Sequence, residues 1–140
     1  MGGTFDHLHD GHKFLIKTAL LFSKKIVIGL ATENLLKKKK HATKIENYQI
    51  REQNLKTFID SIGYLNRVEI VPLNDPYGPP VHEPEYEGII ASQETYKNAL
   101  KINEIRESKS FTPLIIIVIP MIKDRNKNIL SSTAIREKLS

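Results

Sequence analysis

The sequence predicts an α/β domain whose parallel sheet is covered by helices on both faces, and three observations carry that reading. Short β-branched runs alternate along the chain with segments of helical periodicity. The runs are continuously apolar, and a strand buried on both faces has no polar side to show. The 140 residues, 40% of them hydrophobic, suit a single domain, expected over 1–140, that buries a core without disulfides.

The elements follow in order. Residues 1–5 form a curtailed apolar strand with only Met1 before its glycines, which fits either a short first strand or a native start further upstream. Residues 13–23 place Phe14, Leu15, Thr18, Ala19 and Phe22 at helical spacing, and 25–31 (KIVIGLA) read as a buried strand. Thr32 or Asn34 caps a brief helical turn. From 47 to 62, Ile50, Leu55, Phe58, Ile59 and Ile62 recur at helical spacing, and Gly63 ends that helix as a C′ glycine. Residues 67–72 (RVEIVP) form the third strand. The stretch 74–84, with four prolines and a glycine, is an irregular loop. Residues 88–91 are a short strand, 93–106 a helix, 113–120 (PLIIIVIP) the fifth strand, 123–128 a polar loop and 131–139 a final helix. In such a sheet ligands bind beyond the carboxyl ends of the strands.

Composition narrows the function. The chain has no cysteine, which excludes disulfide scaffolds, thiol catalysis and Cys-type zinc sites and is compatible with a reducing, cytoplasmic setting. No apolar run reaches the roughly 20 residues of a membrane span. The net charge is +5. Residues 1–56 carry +6 and residues 57–140 carry −1. The basic half attracts an anion. The five Phe and five Tyr of the whole chain are not interleaved with the lysines, and no nucleic-acid motif accompanies them, so a nucleic acid is not the expected partner.

Chemistry concentrates at three places. Gly2-Gly3-Thr4-Phe5-Asp6 leading into His9-Asp10-Gly11-His12 is a strand, a glycine-rich turn and a helix start. Glycines admit a phosphate close to the backbone, and helix-terminal N–H groups attract anions. His9 and His12, three apart, fall on one helical face, with no serine or cysteine nucleophile beside them. A two-ligand metal corner or plain surface histidines are the other readings. Ser131-Ser132-Thr133 opens a helix with hydroxyl residues, and Arg136 stands one turn beyond Ser132, as a phosphate cradle or simply a capped helix. Lys37 to Lys40 follow the second strand's carboxyl end, beside the histidine turn, where one ammonium can reach a phosphate. Otherwise the run is a solvated loop. Arg51 opens the long helix as a weaker phosphate candidate.

GGTFDHLHDGH closely resembles the (T/H)xGH nucleotidyltransferases. IVIGLATENLLKKKK, ENYQIR, PLNDPYGPP, ASQETYKNALKIN and SSTAIRE are similar to successive segments of phosphopantetheine adenylyltransferases of the eukaryotic and archaeal type. The resemblance implies a Rossmann-like doubly wound sheet of about five parallel strands. It implies adenylyl transfer from ATP to 4′-phosphopantetheine, giving dephospho-coenzyme A and pyrophosphate, with Mg²⁺ as companion cation. His12 and Lys40 take the catalytic places. Gly3, Thr4, Phe5, His9, Lys39, Arg51, Ser92, Thr95, Ser131, Ser132, Thr133 and Arg136 fall to the nucleotide, and Asp75, Tyr77 and Gly78 to a substrate loop. No protein-held metal, nucleic acid or membrane is expected, and fusion to or association with a dephospho-CoA kinase is left open. The alternatives are a cytidylyltransferase, a mononucleotide adenylyltransferase, a catalytically inactive relative or a non-catalytic nucleic-acid-binding module.

Overall fold

The computed structural model describes residues 1–37 and 45–120. Its elements are β1 (Gly2–Gly3), α1 (Asp10–Phe22), β2 (Ile26–Ala31), α2 (Glu33–Leu36), α3 (Tyr48–Ser61), β3 (Val68–Leu73), β4 (Gly88–Ala91), α4 (Tyr96–Ser108) and β5 (Ile115–Val118). Every strand pairing is parallel, with Gly2 opposite Gly29, Ile28 opposite Ile70 and Ile90 opposite Ile117. The strands nevertheless form two ladders, β1-β2-β3 and β4-β5, where the sequence implied one sheet. The short β1 explains the break. Its two residues already pair with β2 and offer few backbone groups for a second neighbour. Side chains bridge the gap instead, because Ile90 of β4 packs on the core of the first ladder.

That core holds Phe5, Ile16, Ala19, Leu20, Ile26, Ile28, Leu30, Leu55, Phe58 and Ile59. The apolar spacing of α1 pointed to Phe14 and Phe22, yet these are exposed and the buried face is Ile16, Ala19 and Leu20. The helix begins three residues earlier than its periodicity suggested, at Asp10, because His9 caps it. In α3 Ile50 is exposed and Arg51 is buried beside Leu55, Phe58 and Ile59. Thr32 caps α2 and Asn47 caps α3 through their side-chain oxygens, as short polar residues do at helix starts. Gly63 follows α3 with a φ of +82°. A second, smaller cluster of Val81, Ile102 and Leu114 lies under the proline-rich loop, with Tyr77 and Tyr86 packed on it.

Leu73, at the carboxyl end of β3, explains several glycines at once. A Cβ on Gly29 would lie 3.1 Å from its methyl carbon, and one on Gly2 3.4 Å from it. At Gly78, where φ is +70°, a Cβ would come within 2.6 Å of the same side chain. Gly78→Ala is therefore expected to lower unfolding stability by about 2–3 kcal/mol, combining left-handed strain with overpacking. Gly63→Ala, which has open space around the added Cβ, should lose only about 1 kcal/mol. Urea denaturation of the two variants checks the difference, and equal losses would remove the role given to Leu73.

Candidate active site

The amino terminus of α1 lies where β1 runs out, and the two histidines of the turn build it. His9 is the N-cap residue, and its Nδ1 accepts the Gly11 N–H at 3.1 Å. In return, His12 Nδ1 accepts the His9 N–H at 3.3 Å. This is a capping box made by imidazoles in place of the usual Ser and Glu. The rings stack with centroids 3.7 Å apart and planes 20° from parallel, and Phe5 leans on His12 at 5.3 Å. Accepting at Nδ1 assigns the proton of each neutral ring to Nε2. The helix start thus sets both tautomers, with the N–H of each ring at Nε2, a donor of the kind a phosphoryl oxygen accepts.

The approach to this helix is bent and firmly tied. Phe5 and His7 have positive φ, +51° and +46°, conformations that side chains other than glycine rarely adopt. Glu46, just ahead of α3, holds the bend from outside. Its N–H donates to Asp6 Oδ1 at 3.0 Å, and its own Oε1 accepts the His7 N–H at 2.8 Å. The His7 ring lies between the two carboxylates, 3.6 Å from Asp6 and 3.9 Å from Glu46. Among the described residues, Asp6, His7 and Glu46 are the one group of His, Asp and Glu side chains spaced to share a cation, with donor atoms within 4.8 Å of one another. Sequence reasoning gave none of the three a role, since Glu46 is 40 residues from Asp6 and only the fold makes them neighbours.

Arg51 departs from its expected place as a phosphate arm. The side chain is fully buried, and two of its three nitrogens, Nε and Nη1, face protein carbonyls. Nε donates to Glu46 O at 2.8 Å, while Nη1 donates to Thr4 O at 3.0 Å and to Ala31 O at 2.7 Å. Among the described residues Nη2 makes no hydrogen bond, and it stands 3.8 Å from Glu33 Oε1. Burial lowers its pKa, opposed mainly by Glu33 and Asp6, and the guanidinium stays charged.

The remaining candidates divide. Gly3 is at the turn, but the space its missing Cβ leaves is filled by the Phe5 ring at 3.3 Å, which gives the glycine a packing reason besides phosphate approach. The helix expected from residue 93 starts instead at Tyr96, four residues beyond Ser92. Thr95 Oγ1 accepts the Ser92 N–H at 2.9 Å and closes the turn between them. Asp75 Oδ1 accepts the N–H groups of Tyr77 and Gly78, both at 2.8 Å, and so shapes the proline-rich loop. Lys39, Lys40, Ser131, Ser132, Thr133 and Arg136 lie outside the described residues.

Comparison with known proteins agrees with this geometry. The family model described as cytidylyltransferase-like matches residues 1–138. The phosphopantetheine adenylyltransferase of Methanopyrus kandleri is 38% identical over 97% of this chain and 86% of its own length. That of Pyrococcus abyssi is 40% identical over 99% and 88%. Among solved structures, a protein of unknown function from Archaeoglobus fulgidus superposes with a TM-score of 0.76 at 32% identity, covering 87% of this chain and 97% of the other.

One electrostatic consequence can be measured without any ligand. The Glu33 carboxylate accepts the Tyr48 N–H, and that bond, more than the charge of Arg51, holds its pKa below the ordinary carboxylate value. A carboxylate whose pKa is lowered by folding stabilises the fold above its unfolded pKa, about 4.3. That contribution disappears as the pH falls through the lower folded value. Glu33→Gln should therefore lower the Tm at pH 7 and make the Tm less sensitive to acidification below about pH 5. Parallel Tm profiles for the variant and the parent chain would contradict this.

Proposed function

The chain belongs to the cytidylyltransferase-like family and, within it, to the phosphopantetheine adenylyltransferases, and on that premise we propose that it joins ATP to 4′-phosphopantetheine. A phosphate oxygen of phosphopantetheine attacks the α-phosphorus of ATP, the bond from that phosphorus to the oxygen of the β-phosphate breaks, and pyrophosphate leaves. The products are dephospho-coenzyme A and pyrophosphate. The observation that carries this reading is the reciprocal histidine cap, which sets two Nε2–H tautomers side by side at a helix amino terminus.

The reaction suits such a site. The attacking monoester has a second pKa near 6 and is mostly dianionic at pH 7, so no strong general base is required. The difficulty is the approach of two polyanions, and positioning with electrostatic stabilisation overcomes it. In this proposal His12 donates to the α-phosphoryl oxygens as negative charge accumulates on them, with Lys40 beside it. His9 and the backbone of Gly2 to Thr4 receive the ATP phosphates, and the stacking of the two rings keeps their donors together. Phe5 braces His12 from its other side. Ser131, Ser132, Thr133 and Arg136 take the pyrophosphate, Lys39 supplements Lys40, and Ser92 and Thr95 border the nucleotide. The loop shaped by Asp75, with Tyr77 and Gly78, faces the pantetheine arm.

Mg²⁺ fits as the companion of the triphosphate. It prefers phosphate oxygens and water to a protein cage and needs only one or two carboxylates, a demand that Asp6 and Glu46 meet as hard oxygen donors beside the turn. When bound it neutralises phosphate charge. The reaction sits in coenzyme A biosynthesis and is placed in the cytoplasm. Among the described residues no helix is long and apolar enough to cross a membrane. A dephospho-CoA kinase, fused or associated, would complete the cofactor.

Release of pyrophosphate from ATP with phosphopantetheine, set against CTP and against other phosphorylated acceptors, tests the assignment. Turnover with phosphopantetheine and ATP is expected to exceed the other pairs by orders of magnitude. A preference for CTP or for a mononucleotide acceptor would replace it. His12→Ala should reduce kcat by at least ~100-fold, corresponding to about 3 kcal/mol for one preorganised oxyanion donor. Near-normal turnover in that variant would remove His12 from the mechanism.

A further inference from the structure

We infer that Arg51 is a positioning residue for this site, acting through the chain segments around the histidine turn and not by touching phosphate. The inference rests on the adenylyl-transfer reading for its kinetic consequence, but its structural content stands separately. Arg51 donates to three carbonyls from three segments that are distant in sequence. Thr4 closes the β1 segment, Ala31 ends β2, and Glu46 precedes α3. Those are the carboxyl ends of two adjacent parallel strands, the edge where ligands of such sheets bind. The third anchor continues outward, because Glu46 holds Asp6 and His7 through its N–H and its carboxylate. One side chain therefore fixes the separation of the β1 and β2 ends and, two bonds further on, the bend from which His9 and His12 start.

Three observations separate this from a phosphate contact. The side chain has 0% exposure, so an incoming anion meets the strand ends before it meets the guanidinium. Nη1 is shared between two carbonyls and Nε is aligned on a third, a planar fork that sets the orientation of the group. The remaining nitrogen, Nη2, is enclosed with no hydrogen-bond acceptor among the described residues and stands 3.8 Å from Glu33 Oε1. An enclosed donor without an acceptor is costly, and its retention shows that the placement of the group follows the three carbonyls.

The experiment compares Arg51→Lys with Ile59→Ala, a core truncation on the same helix, at a temperature well below the Tm of both. Lysine keeps the charge and loses the fork. Displacement of the strand ends by even a fraction of an ångström should lower kcat/KM by at least about 10-fold, and the loss should appear in kcat as well as in KM for ATP. In the ligand-free protein, the imidazole nitrogen signals of His9 and His12 should move in Arg51→Lys and stay in place in Ile59→Ala. If both variants lose activity equally with unmoved imidazole signals, Arg51 is only a stability residue and the inference fails. If Arg51→Lys weakens ATP binding while the ligand-free imidazole signals are unchanged, Arg51 is a direct ligand and the inference also fails. Should Arg51→Lys not fold, the parent chain decides. Its Arg51 Nε–H should exchange slowly with solvent without nucleotide and change little with ATP, whereas protection arising only with ATP would overturn the proposal. Absence of adenylyl transfer in the parent chain would reject the proposed function alone, because the imidazole and Nε signals are read without turnover.

Discussion

A parallel strand that stops inside a protein leaves carbonyl oxygens at its carboxyl end, and those oxygens must find donors. In this fold the strands are short, the ends come together, and a single arginine answers most of the need. Arg51 reaches Thr4, Ala31 and Glu46 from the first turn of α3. The same device recurs in the other half of the molecule. Arg106, also fully buried, donates to the carbonyls of Thr112, Pro80, Glu83, Pro84 and Tyr86 and gathers the proline-rich connection around the second cluster. Both halves thus use a helix-borne guanidinium where irregular chain has few other donors, since prolines supply no N–H of their own. Removing either fork would take away the donor these backbone carbonyls share.

The site is built on that frame. Because β1 ends almost at once, the chain enters a bend with two left-handed residues, Phe5 and His7. Strain of this kind persists only where surrounding contacts over-determine it, and Glu46, Asp6 and Arg51 provide those contacts. The bend delivers His9 to the N-cap of α1, and the cap reciprocates through His12. Tautomer, ring orientation and helix start are therefore one event. A helix amino terminus with its partial positive charge and two imidazole N–H donors is suited to an anion, and the basic balance of residues 1–56 assists its arrival.

The glycines show how packing and chemistry share residues. Gly2, Gly29 and Gly78 surround Leu73, and Gly3 makes room for the Phe5 ring. A glycine-rich turn beside a helix start suggests phosphate approach when only the sequence is considered. In the fold the same glycines also let the third strand and the proline-rich loop close on the first.

The sequence by itself determined the fold class, the succession of strands and helices among the described residues and the two histidines of the turn, because these depend on local periodicity and on residues three apart; the loop expected at 123–128 and the helix expected at 131–139 lie outside the described residues. The cap at Thr32 was equally legible, since a cap involves only neighbouring residues. Tertiary structure decided what depends on long separations. It divided the strands into two ladders, turned the apolar face of α1 to Ile16 and Leu20, and enclosed Arg51, which the sequence offered as a phosphate candidate. It also brought Glu46 to Asp6 across 40 residues. No local pattern marks an arginine as a clamp, because its acceptors are backbone carbonyls, which every residue carries and only the packed chain brings together.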